Sequence, residues 1–443
     1  MMMRKMLLSG WGRQRWIETA LVTTDDLPRS SRDASLSRGL GRAYGDAALP
    51  AARNAAVVMN TTLADRILSF DRQTGVLRAE AGLSLGELTR LFIDQLWFSP
   101  VVPGTRFVTL GGAVAADIHG KNHHVKQTFG HHVRALAVRA GDGRVYECSR
   151  TQNSDLFLAT IGGMGLTGHI LEVELTMDRI PSRWIYEESE RFDTLEGVFT
   201  ALRAARDAWP MTVAWIDTSI GGAHAGRGIV MSGRWANAEE TRDRKKPGKE
   251  LDVRVPIDLP NGLINPFTIR LMNAFWYYWH GRRKRTHFVT PEQYFWPLDG
   301  IREWNRVFGT RGFFQYQCVM PSEMEAFRKL LALFRARRAC SFVTVFKDCG
   351  AEGDGMLSFP KTGTTLAVDI PVRTIEDARE TTRQFNELVL AHGGRIYLAK
   401  DSFTEGGDFR KMYPRLDEWQ AVRRRYDPEG HIGSAMADRL FGA

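Results

Sequence analysis

Cysteine is scarce: four thiols, Cys148, Cys318, Cys340 and Cys349, are spread over 443 residues. They are too few and too scattered for a disulfide framework or a zinc motif, and read as buried or incidental thiols of a reducing compartment. Long apolar runs are missing too. The richest aromatic and apolar stretch, residues 271–279, is far shorter than the ~20 residues a spanning helix needs, which excludes a transmembrane helix. Residues 1–8 are apolar around Arg4 and Lys5 but too short for a signal-peptide core, and no small-residue cleavage site follows, so no export is expected. The polar bias of a disordered chain is absent, since 43% of residues are hydrophobic and 25% charged. No internal repeat is visible. At roughly 150 residues per domain the length suggests two or three domains, or one large elaborated one.

An acidic surplus is also lacking. Lys and Arg number 60 against 51 for Asp and Glu, a net charge of +9 that points to an anionic partner: nucleic acid, a phosphorylated substrate, an anionic cofactor or lipid headgroups.

What the chain does have is glycine, concentrated in loops of its first 180 residues: Arg38-Gly-Leu-Gly-Arg-Ala-Tyr-Gly-Asp46, Pro103-Gly-Thr-Arg106, Leu110-Gly-Gly112, His119-Gly-Lys121 and Gly162-Gly-Met-Gly-Leu-Thr-Gly168. Glycine serves where backbone turns tightly or approaches a ligand closely. The first loop is spaced G-x-G-x-x-x-G with no amphipathic helix after it, so a Rossmann fingerprint fails on context. A nest of backbone N–H groups for a pyrophosphate is the functional reading, a plain turn the bland one. Between the loops, Ser84-Leu-Gly-Glu87 reads as a capping box opening a helix, residues 133–140 and 144–148 as a hairpin, and 170–177 as a strand. From about Pro181 the texture changes to strands at 211–217, 228–232, 313–320, 342–347 and 365–370, with helices beginning at Ser322 and spanning 376–392. That mixture suggests α+β with a mostly antiparallel sheet. The charged segment 239–254 reads as a loop.

Three further features carry chemistry. His119, His123, His124, His131 and His132 crowd one segment, but no Cys or carboxylate partner completes a metal shell, so hydrogen-bonded or solvated histidines are expected and no metal. On 313–320, Gln315 and Gln317 share a face opposite Phe314, Tyr316 and Cys318; a polar cavity and plain solvent both fit. In Phe275-Trp-Tyr-Tyr-Trp-His-Gly-Arg-Arg-Lys-Arg285 aromatics precede four basic residues. Core packing, an anionic membrane interface and base stacking remain open there, in that order.

Taken together, the first glycine loop, Pro103-Gly-Thr-Arg106, Asp117-Ile-His-Gly-Lys-Asn-His-His124, Gly165-Leu-Thr-Gly168, Gln315-Tyr-Gln317, Leu357-Ser-Phe-Pro360, Ala399-Lys-Asp-Ser402 and Met412-Tyr-Pro-Arg-Leu-Asp-Glu-Trp419 resemble the decaprenylphosphoryl-β-D-ribose 2′-oxidase family. That family is part of the vanillyl-alcohol-oxidase type of FAD enzymes, and the similarity runs from about Gly10 to Leu440. The resemblance implies a two-subdomain FAD-binding domain from residues 1–181 and 395–443, with an α+β substrate domain on an antiparallel sheet, 182–394, inserted between. It assigns the cofactor to Arg38, Gly39, Leu40, Gly41, Arg42, Ala43, Tyr44, Gly45, Asp46, Gly104, Thr105, Thr109, Leu110, Gly111, Gly112, Ala116, Asp117, Ile118, His119, Gly168, Ile170 and Tyr397. Many relatives tether the flavin through a histidine in the first loop; Arg42 occupies that neighbourhood here, so FAD is expected to be noncovalent.

The same resemblance gives catalysis to Lys400, with His119 and Lys121 as further proton-handling candidates. Substrate contacts fall to Trp215, Phe295, Asn305, Gln315, Gln317, Lys347, Thr365 and Ala367. Relatives of the mycobacterial type carry asparagine, cysteine and tyrosine where this chain has Thr365, Ala367 and Phe295, and the cysteine is where covalent inhibitors attack. The implied reaction oxidises the 2-hydroxyl of a polyprenyl-phosphate-linked ribose to the keto sugar, the first half of an epimerisation to the arabinose form that feeds arabinan in the cell envelope. A short-chain-dehydrogenase-type reductase partner, no nucleic acid, and a cytoplasmic place at the inner face of the membrane, in contact through 271–285, accompany it. Oxidation of a soluble sugar lactone or polyol is the alternative.

Overall fold

Residues 313–320 are buried without exception, on both faces, because this strand runs near one end of an eight-stranded sheet that is covered on both sides. In a computed structural model that describes residues 2–52, 57–245, 247–248, 250–281 and 284–442, the strands lie in the order Arg285–Val289, Ile185–Phe192, Gly228–Trp235, Met211–Ile216, Thr344–Cys349, Gly363–Pro371, Phe313–Met320 and Arg395–Ile396. Every pairing between them is antiparallel, as the texture after Pro181 suggested. On one face Phe314, Tyr316, Cys318, Phe346, Leu366 and Val368 join Phe199, Phe327, Phe334 and Phe385 from the helices Leu195–Ala208, Met324–Ala336 and Ile375–Ala391 in one core. Strand alternation turns the intervening residues, Gln315, Gln317, Lys347 and Ala367 among them, to the opposite face.

Two smaller sheets precede it. Met2–Ser9, Trp16–Thr23, Val57–Asn60 and Leu36–Arg38 form a mixed sheet, with parallel pairs on either side of Val57–Asn60. Ile67–Phe70, Val76–Glu80, His169–Thr176, Val133–Arg139 and Val145–Ser149 form an antiparallel one that includes the expected hairpin. Helix Leu85–Phe92 begins where Ser84 Oγ accepts the Glu87 N–H at 3.0 Å. The helix expected at Ser322 starts later, at Met324, with no side-chain cap, because the Ser322 hydroxyl is spent on Thr364 Oγ1 at 2.8 Å. Parts of the charged segment 239–254 and of the basic run 282–285, namely Lys246, Lys249, Arg282 and Arg283, lie outside the described residues.

The tail returns to the first sheets. The Trp419 indole donates to Ala159 O at 3.0 Å, the Ala435 N–H to Leu49 O at 2.9 Å and the Gly433 N–H to Ser35 O at 3.1 Å. Arg439, on the last helix, grips Asp46 with two N–H groups at 2.9 and 2.8 Å and Asp401 with a third at 2.8 Å, so one guanidinium joins the first glycine loop to the Ala399–Ser402 turn. Both carboxylates are almost sealed, at 9% and 5% exposure. Arg439→Met would leave two carboxylates buried and unpaired, and is expected to cost about 3–5 kcal/mol of stability in denaturant titration.

Candidate functional site

Loops and sheet face each other across one cavity of about 1150 Å³. Its roof is built from the residue 38–44 loop, Gly104 to Gly112, the Ile118–Lys121 turn and Gly165 to Ile170; its floor is the polar face of the large sheet, with Trp215, Gln315, Gln317, Lys347 and Ala367. The volume exceeds the ~300–1,000 Å³ of ordinary small-molecule pockets, which leaves room for a large cofactor and a substrate together. The roof suits close backbone approach. A Cβ placed on Gly104 or Gly165 would meet nothing within 4 Å, whereas Gly41 sits at φ +66° and a Cβ there would run into the Arg38 guanidinium at 2.4 Å. Glycine is therefore required at one end of the roof by conformation and leaves open space for a ligand at the other.

Both arginines of the first loop line the cavity, in different ways. Arg38 donates to Ala48 O and Ser9 O at 2.8 and 2.7 Å, bracing the loop, and burial with Arg42 alongside lowers it to about 10. Arg42 lies 4.0 Å from the Trp11 ring centroid and 5.1 Å from that of Phe107, a cation between two aromatic faces.

Lys121 from the roof, Lys347 from the floor and Lys400 from the Ala399–Ser402 turn all line the cavity. Burial lowers Lys121 to about 8, Glu187 opposing and Lys347 reinforcing the shift. Burial likewise lowers Lys347 to about 8, and its ammonium donates to Gly120 O at 3.1 Å. The Lys121 ammonium donates to Tyr294 O and sits 4.2 Å over the Tyr294 ring. Lys400 sits 3.8 Å over the Tyr44 ring; burial pulls its pKa down, Asp369 holds it up and Lys347 repels it. Asp369 is pushed up in turn by burial, while Gln315 Nε2 donates to its Oδ1 at 2.5 Å.

His119 is held by a chain of hydrogen bonds with a fixed direction. The single Thr365 hydroxyl proton goes to Cys318 O at 2.8 Å, so toward Gln317 that oxygen only accepts, from Nε2 at 3.3 Å. The same amide nitrogen lies 3.1 Å from His119 Nε2, which must also accept. The imidazole proton is thereby placed on Nδ1, which is buried and has no partner among the described residues. Burial, and then the charges of Lys347, His123 and Lys400, hold the ring neutral. Three other histidines of that segment are tied into the backbone: His123 Nδ1 accepts from the Gly350 N–H at 2.9 Å, and His124 and His132 bond Trp209 O and Lys126 O at 2.8 Å, while His131 faces Asp354 at 3.6 Å.

The cavity thus gathers Lys400, His119 and Lys121 with Arg38, Gly39, Leu40, Gly41, Arg42, Ala43, Tyr44, Gly104, Thr105, Thr109, Gly111, Gly112, Ala116, Ile118, Gly168, Ile170 and Tyr397, and with Trp215, Phe295, Gln315, Gln317, Lys347 and Ala367. Other expected residues stand behind its wall. Asp46 is engaged by Arg439, and Gly45 backs onto Asp401 O, which a Cβ would meet at 2.0 Å. Leu110 is core, and Asp117 accepts from the Gly130 N–H at 2.9 Å and from Ser358. Asn305 Nδ2 donates to Trp11 O at 2.9 Å, so it braces the ring that flanks Arg42, and Thr365 acts through Gln317. The sequence reading missed Glu187, Tyr294 and Asp299 on the wall and Asp369 behind it. Asp369 was legible, being two residues beyond Ala367 on the same strand face. Glu187 was not, because its strand, Ile185–Phe192, reads as a solvated acidic stretch.

A family model described as an FAD binding domain matches residues 26–149, and one described as D-arabinono-1,4-lactone oxidase matches residues 315–440. Over 452 aligned positions, 98% of this chain and 97% of its relative, the chain is 34% identical to decaprenylphosphoryl-β-D-ribose oxidase of Mycolicibacterium smegmatis. The chain belongs to the decaprenylphosphoryl-β-D-ribose oxidase family. An uncharacterised protein of Streptomyces coelicolor is 30% identical over 81% of this chain and all of its own length, and L-gulonolactone oxidase of Mus musculus is 30% identical over 28% of each chain. As a member of the decaprenylphosphoryl-β-D-ribose oxidase family the chain is an FAD-dependent oxidoreductase acting on CH–OH groups, and its glycine-lined roof fits that cofactor.

Two outcomes follow from this geometry. Thr365→Val removes the acceptor that orients Gln317, so the ¹⁵N resonance of His119 Nε2, unprotonated in the wild type, is expected to shift toward the protonated value, while Thr365→Ser keeps it. All four cysteines are buried and none lines the cavity. A thiol-directed ligand is therefore expected to leave the wild type unmodified and to add one adduct mass to Ala367→Cys.

Proposed function

We propose that the chain oxidises the 2-hydroxyl of a polyprenyl-phosphate-linked ribose to the 2-keto sugar. The observation that carries this reading is the convergence of Lys121, Lys347 and Lys400 in one cavity beneath glycine loops, in a chain 34% identical over nearly its full length to an enzyme named for such a substrate. In the ribosyl phosphate, anionic oxygens sit three bonds from the carbon next to the reacting one, so cations are needed close to the alcohol. Lys121 and Lys347 are proposed to hold the phosphate, and Gln315 and Gln317 to orient the sugar hydroxyls. FAD, when bound, accepts the hydride. The chain's own task is the proton. Lys400, whose basicity burial lowers so that the neutral amine is within reach, takes the proton of the 2-hydroxyl as that amine, becoming the ammonium, and passes it on toward the Asp369 carboxylate. His119 presents its fixed Nδ1–H to the oxygen or to the cofactor edge.

The same proposal takes residues 1–181 and 395–443 as the cofactor-binding unit and 182–394 as the substrate unit. It takes FAD as noncovalent, since the guanidinium of Arg42, between Trp11 and Phe107, offers no imidazole for a flavin bond. It includes a separate reductase that consumes the keto sugar, and a cytoplasmic place at the inner face of the membrane. No helix among the described residues is long and apolar enough to cross a membrane.

Anaerobic flavin bleaching by a short-prenyl phosphoribose tests the reaction; bleaching by soluble lactones or polyols alone would favour the lactone-oxidase alternative instead. Acid precipitation is expected to release the yellow colour to the supernatant. Lys400→Met is expected to lower kcat by about 10²–10⁴-fold with flavin retained. Because Lys121 and Lys347 are ammonium ions below about 8 and lose that charge above it, KM for the phosphate substrate is expected to rise about tenfold from pH 7 to pH 9. Lys347→Gln is expected to raise KM at pH 7 and flatten that slope.

A further inference from the structure

The aromatic segment that precedes the basic run is a helix, Pro266–Trp279, and its sides have three different surroundings. Ile269, Asn273 and Tyr277, four residues apart, are buried at 1%, 1% and 2% exposure, with Asn273 Nδ2 donating to Asp217 and to Ser341 O at 2.8 and 3.0 Å. The next row, Met272, Trp276 and His280, lines the mouth of the cavity. The row after it, Leu271, Phe275 and Trp279, stands in solvent at 56%, 65% and 64% exposure, and Phe267 and Tyr278 beyond it at 70% and 63%. Core packing, the first reading of these aromatics, thus holds for Tyr277 and fails for most of the others. Rows spaced by four are neighbours on a helix, so one apolar surface runs without a break from inside the cavity to the outside of the molecule. Leu251, Ile257 and Leu263, in the segment leading to this helix, are also exposed. Cations accompany the patch: Arg270 is exposed on the helix, Arg285 donates to Trp279 O at 2.9 Å, and Lys284 pairs with Glu188.

We propose that the outer rows of the Pro266–Trp279 helix seat in the interface of an anionic lipid bilayer, and that the prenyl tail of the substrate reaches the cavity along the Met272–Trp276–His280 row without crossing water. This rests on the reading of the substrate as a prenyl phosphate. Three things select a bilayer as the occupant. The patch is continuous with a cavity that takes a lipid, its Trp276, Tyr278 and Trp279 rings are the amphipathic kind that settle at headgroup depth, and Arg270 on the helix and Arg285 just after it stand at its edge with no carboxylate paired to either among the described residues. The helix is anchored to the sheet by the Asn273 hydrogen bonds and not by its exposed face, so that face is free to serve a second medium.

The test uses flavin-loaded full-length protein and vesicles of phosphatidylcholine and phosphatidylglycerol. Wild type is expected to float with the vesicles and Phe267→Glu/Leu271→Glu/Trp279→Glu to stay behind, with at least tenfold weaker partition. The variant's rate on a long-prenyl phosphoribose carried in vesicles is expected to fall at least tenfold, while its rate on a soluble short-prenyl analogue stays within twofold. Quenching of wild-type tryptophan fluorescence by brominated lipid gives a readout that does not depend on how the variant folds. Wild type that neither floats nor is quenched, a variant that floats equally, equal losses on both substrates, or a patch found to bury itself in a dimer would overturn the proposal. Failure of both phosphoriboses to bleach wild-type flavin would instead overturn the substrate reading, whatever the flotation result.

Discussion

Three ammonium groups in one poorly hydrated cavity repel one another, and the structure around Lys121, Lys347 and Lys400 is arranged to tolerate this. Each has a different relief. Lys121 leans on the Tyr294 carbonyl and ring, Lys347 on Gly120 O, and Lys400 on the Tyr44 ring with Asp369 behind it. Asp369 beside Lys400 and Glu187 beside Lys121 offset part of the charge, but two carboxylates do not balance three ammonium groups at the meeting point of loop and sheet. An anionic ligand completes the arrangement, which is a reason for substrate and site to fit as a pair.

That arrangement depends on rigid scaffolding at some distance. Gln315 sits between Asp369 and the cavity, Gln317 between Thr365 and His119, and both amides lie on a strand sealed by aromatic packing on its other face. The polar face keeps its geometry because the apolar face cannot shift. Thr365 illustrates the economy of this design: a hydroxyl that never reaches the cavity decides which nitrogen of His119 carries the proton.

Much of this was legible beforehand, and the limits have physical causes. Glycine spacing marked the roof because conformational demands are local, and alternation placed Gln315 and Gln317 opposite Tyr316 because a strand has only two faces. Resemblance was needed for Lys400 and Lys347, since an isolated lysine looks like solvated surface. Glu187 and Tyr294 escaped notice because nothing local distinguishes them; the fold alone brings Lys121 alongside. The 266–279 segment misled in another way. Aromatic residues ordinarily fill cores, and local sequence does not record that only one row of this helix finds a partner.

The Arg439 clamp sets an order of events in time. Asp46 closes the first glycine loop, yet the group that fixes it lies 393 positions later, on the last helix. During synthesis the loop therefore emerges hundreds of residues before its fastener, and the cradle is completed only once the Ala435–Phe441 helix has been made and has docked. Loss of the Ala435–Phe441 helix would therefore be felt at Asp46, nearly four hundred residues earlier.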